Sequence, residues 1–77
     1  MFKKFVTFAV NRKDLVQVID RFATHWPTKV VGVGDNNRSY VISIKCNANS
    51  FQECLNAITG LSMIGVGIRK LNIKWRI

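Results

Sequence analysis

From Lys70 to Ile77 polar and apolar side chains alternate without a break. In an extended strand that spacing puts Leu71, Ile73, Trp75 and Ile77 on one face and Lys70, Asn72, Lys74 and Arg76 on the other. The first set is expected to build a core, and the second forms a row of cations. The same combination recurs upstream. Residues 2–10 are rich in aromatic and β-branched types and read as a first strand. Lys4, Val6, Phe8 and Val10 share its core face, with Lys4 at the edge, while Lys3, Phe5, Thr7 and Ala9 share the other face.

A helix is expected next. Asn11 is its candidate N-cap, and Asp14 is placed against the positive helix terminus. Leu15, Ile19, Phe22 and Trp26, supported by Val18 and Ala23, form one apolar stripe. Pro27 ends it, because the residue before proline is driven out of the helical region. Residues 28–33 and 38–46 read as a hairpin around Gly34-Asp35-Asn36-Asn37, whose residue types tolerate positive φ. On the second of these strands Tyr40, Ile42, Ile44 and Cys46 share one face, opposite Ser39, Val41, Ser43 and Lys45. Ser50-Phe51-Gln52-Glu53 is a capping box, Phe51, Cys54, Leu55 and Ile58 repeat at helical spacing, and Gly60 is a candidate C-cap. Residues 61–67 read either as a loop or as the first half of a long, glycine-bent final strand.

The order is therefore strand, helix, strand, strand, helix, strand. Val31-Gly32-Val33-Gly34 follows the first helix much as Ile64-Gly65-Val66-Gly67 follows the second. This repetition points to one α+β domain over residues 1–77. Its expected form is a ferredoxin-like βαββαβ split, a four-stranded antiparallel sheet with two helices on one face.

Twelve Lys and Arg stand against four acids in 77 residues, a net charge of +8. That balance favours a polyanionic partner. A chain this short has a modest core, so burial against a partner or a second copy also fits. Lys3 and Lys4 precede an apolar run too short for a signal-peptide core, and no stretch is long enough to cross a bilayer. The expectation is a cytoplasmic protein without a membrane partner. Cys46 and Cys54 read as buried free thiols.

No catalytic constellation stands out. Asp14, Glu53 and Asp35 are assigned to helix starts and a turn, and Asp20 lies beside Arg21, leaving no carboxylate pair for acid–base or metal chemistry. His25 has no nucleophile beside it, and the glycine pairs lack a phosphate-binding fingerprint. The expectation is a non-enzymatic protein without metal or cofactor.

The uncovered sheet face carries the functional reading. Lys3, Phe5, Lys45, Lys70, Asn72, Lys74 and Arg76 would form one patch, which Arg38 at the hairpin would extend. Cations for phosphates around an aromatic able to stack on a base are a common way to hold single-stranded nucleic acid. RNA is favoured, with weak sequence preference and strong salt dependence. The architecture resembles RNA-recognition-type domains, and Arg38-Ser39-Tyr40 begins like their third-strand motif, with Ser39 in place of Gly. The resemblance implies that Tyr40 and Ile42 face outward, opposite to the parity above. The alternative is contact with protein. Phe5 and Val41 would then anchor a homodimer or a protein target, as in a small inhibitor or antitoxin. In size, charge and lack of an active site the chain is similar to small basic accessory proteins of tailed phages that inhibit host defence toxins. That resemblance implies a counter-defence role, in the host cytoplasm.

Overall fold

Two strands in the middle of the chain's sheet carry an almost unbroken apolar face, and this decides which elements lie at its centre. The computed structural model describes residues 3–34 and 36–76, the side chains of Trp75 and Arg76 excepted. Strand β1 (Lys3–Asn11) leads through a 3-10 turn (Arg12–Asp14) into helix α1 (Leu15–Ala23). Strands β2 (Thr28–Gly34) and β3 (Ser39–Asn47) form the hairpin. A second 3-10 turn (Ala48–Ser50) enters helix α2 (Phe51–Gly60), and a third (Leu61–Ile64) precedes strand β4 (Ile68–Arg76). The sheet order is β2-β3-β1-β4, with every neighbouring pair antiparallel. β1 and β3 are thus central and β2 and β4 are edges.

Val6, Phe8 and Val10 of β1 and Ile42, Ile44 and Cys46 of β3 are buried in one cluster with Val18 and Phe22 of α1, Cys54 and Ile58 of α2, and Leu61 and Val66. Both helices therefore cover the same side of the sheet. The rings of Phe8 and Phe22 meet at 6.1 Å and those of Phe22 and Trp26 at 5.9 Å, which locks α1 onto β1. Truncating Phe22 would cost about 3–5 kcal/mol. Lys4 marks the edge of this face, its Nζ 3.5 Å above the Phe51 ring. Ile42 lies fully in the core, opposite to what the RNA-recognition motif requires. Among the described residues no helix is long and apolar enough to cross a membrane.

The last strand departs from expectation. Ile73 lies across from Val6 and so faces the helix side, yet Ile73 is 39% exposed and Leu71 48% exposed, and neither joins the core. As an edge strand, β4 extends past the cover of the helices. The side chain of Trp75, expected in the core, and Ile77 lie outside the described residues, as does Asp35 of the turn. Asn36 and Asn37 of that turn have the positive φ expected of them, 56° and 68°.

The caps also differ. Asn11 stands at the N-cap of the first 3-10 turn without a side-chain cap bond; its Oδ1 instead accepts a hydrogen bond from Arg69 Nη2 at 3.1 Å. Ser50 and Glu53 do not close a capping box, because the 3-10 turn ahead of α2 directs Ser50 Oγ to the Asn47 carbonyl. Gly60 remains helical. The termination falls on Gly65, at φ 83°, where Val66 N–H donates back to the Leu61 carbonyl. Residues 61–64 are thus a tightened continuation of the helix, and neither a plain loop nor a strand.

Candidate nucleic-acid interface

The register assembles the uncovered face as a series of rows. Lys3 of β1 pairs with Asn47 and with Arg76, and in the next row Phe5 stands between Lys45 and Lys74. A third row runs Lys29, Ser43, Thr7, Asn72, and a fourth Gly32, Val41, Ala9, Arg69. Consecutive rows are about 7 Å apart. Lys3, Phe5, Lys45, Asn72 and Lys74 are therefore brought together as expected. Arg76 has its backbone in the first row, while its side chain lies outside those described. Arg38 is not part of this group. It precedes Ser39, which pairs with Asn11 at the far end of β1, about 20 Å along the strand from Lys45.

Two bulges re-aim the cations. Between Val30 and Gly32 the β2–β3 register shifts by one, so Lys29 faces Ser43 on the open side. Pairing counted back regularly from the turn would have set it across from Ile44, toward the helices. Between Thr7 and Ala9 the β1–β4 register shifts likewise, and Arg69 takes the place across from Ala9 that unbroken alternation assigns to Lys70. Lys70 sits in this bulge with φ 58° and so leaves the row it was expected to head. Lys29 and Arg69 are the functional candidates that alternation missed.

Small side chains give the face its relief. Thr7 and Ser43 lie beside Phe5 and the lysines. One depression of about 500 Å³ is lined by Phe5, Lys29, Ser43 and Lys45, and a second of similar size by Phe5, Thr7, Lys29 and Lys74. Phe5 thus borders both hollows with lysines on either hand. The Lys45 ammonium is held below its usual pKa, first by the closeness and like charge of Lys3, then by slight desolvation and the charge of Lys29. Mutual repulsion among these three is what an anion would relieve.

Other groups offer less chemistry. Burial raises both thiols, that of Cys54 to about 12 with Cys46 alongside it, so neither is an activated nucleophile. Among the described residues no group of three His, Cys, Asp or Glu could hold a metal ion. His25 is exposed, its ring 5.5 Å from that of Trp26. No protein-family model, curated protein or solved structure matches this chain.

Proposed function

We propose that this is a ferredoxin-like βαββαβ domain that binds single-stranded nucleic acid, RNA in preference, on its open sheet face and catalyses no reaction. The strand order with β1 and β3 central supports the fold. The observation that carries the function is the row Lys45–Phe5–Lys74, flanked by Lys3 and Lys29: an aromatic between cations on a face that no helix covers. Lysines reach phosphates and the ring takes a base, a combination that tolerates sequence and favours unpaired strands. RNA is preferred because splayed, stacked bases on a sheet are a usual mode of its recognition. The test is fluorescence anisotropy of labelled single-stranded RNA, single-stranded DNA and duplex DNA against nuclease-treated protein over a salt series. Tighter binding of single strands that weakens steeply with salt is expected, and absence of binding at low salt would defeat the reading.

A second reading has an observation of its own. Val30, Val31 and Val33 on one edge strand and Leu71 and Ile73 on the other are each at least 39% exposed. Apolar edges of this kind favour a protein contact, whether a homodimer or a target of an inhibitor of the phage counter-defence type. A stable complex that survives nuclease and high salt would favour it.

A further inference from the structure

A cleft of about 690 Å³ separates the end of α1 from the start of α2, large enough for a nucleotide. Arg21, His25, Trp26, Lys45 and Glu53 line it. Trp26 is held there, its backbone N–H donating to the Phe22 carbonyl at 2.9 Å and its ring in tilted contact with those of Phe22 at 5.9 Å and His25 at 5.5 Å. Pro27 and Lys45 line both this cleft and the sheet-face hollow that holds Phe5 and Lys29. The two cavities therefore adjoin at Pro27 and Lys45.

We propose that this cleft receives the terminal nucleotide of the bound strand, with its terminal phosphate on Arg21 and Lys45 and its base against Trp26 and His25. The assignment rests on the nucleic-acid reading of the sheet face. A terminal phosphate monoester carries close to two negative charges, against one on an internal diester, and a guanidinium binds it through paired hydrogen bonds. Glu53 repels the phosphate from its own wall, which confines it to the Arg21 and Lys45 side and leaves the carboxylate to accept from a base amino group or a ribose hydroxyl.

The test is competition anisotropy with short single-stranded RNAs of one sequence whose 5′ and 3′ ends carry either hydroxyl or phosphate. Phosphate at one end is expected to tighten binding by about tenfold. Arg21→Gln, at an exposed position, should erase that gain, weakening the phosphate-ended strand about tenfold more than the hydroxyl-ended one. Equal affinity for all ends, or a uniform loss on Arg21→Gln, would overturn the assignment while leaving the sheet-face reading intact. No binding of any oligonucleotide would overturn both.

Discussion

Lys29 stands across from Ser43, and not from Ile44, because Val31 is the extra residue of a bulge in β2. One inserted position turns a cation from the helix side to the open face, where it borders both hollows beside Phe5. β-Bulges commonly re-aim side chains in this way next to binding sites.

The salt dependence of binding follows from the count of cations on the face. Lys3, Lys29, Lys45 and Lys74 contacting phosphates would give log K against log salt a slope of about −3 for a single strand. Lys29→Ala should make that slope shallower by about 0.7 and weaken binding alike for all sequences. A salt titration of the variant beside the parent protein checks both values.

Phe5 is the stacking element of the site. Phe5→Ala should cost about 1–3 kcal/mol of binding free energy with the salt slope unchanged, since no phosphate contact is lost. Phe5→Trp should restore the affinity. Isothermal calorimetry on both variants separates this from a general loss of charge.

Lys45 links stability to pH. Its folded pKa lies below the unfolded value, so the unfolded chain binds more protons between the two. The unfavourable contribution is fully present below the folded pKa, and stability recovers as pH rises from there toward 10.5. Lys45→Gln should accordingly raise Tm at neutral pH and low salt while weakening nucleic-acid binding. The gain in Tm should shrink as added salt screens Lys3 and Lys29. Thermal melts at two ionic strengths test the sign.

Lys70 occupies left-handed backbone at φ 58°, a conformation glycine adopts without steric penalty. Lys70→Gly should stabilise the fold by about 0.5–1 kcal/mol in chemical denaturation. Because Arg69 holds the row position, the variant should lose less affinity than Lys74→Ala.

Much of the fold was legible in local pattern. The helical stripe containing Phe22, the alternation that buries Val6, Phe8, Ile42 and Ile44, and the asparagines of the hairpin turn each follow from one short stretch of chain. The candidate face was legible in part for the same reason: Lys3, Phe5 and Lys45 fall on regular strand positions. Lys29 and Arg69 were not, because a bulge is a property of two paired strands and leaves no period in either. The exposure of Leu71 and Ile73 was hidden in the same way. Alternation gives the face of a residue, whereas its burial depends on whether the strand lies at the centre of the sheet or at its edge. The cap of Asn11 failed because the competing donor, Arg69, lies far along the sequence.

The most direct test reverses the two lysines that flank the Phe5 hollows. For Lys29→Glu with Lys74→Glu, both exposed positions, circular dichroism should show an unchanged fold, and anisotropy with single-stranded RNA at low salt should show binding abolished. A folded double variant that bound RNA as tightly as the parent would contradict the sheet-face interface.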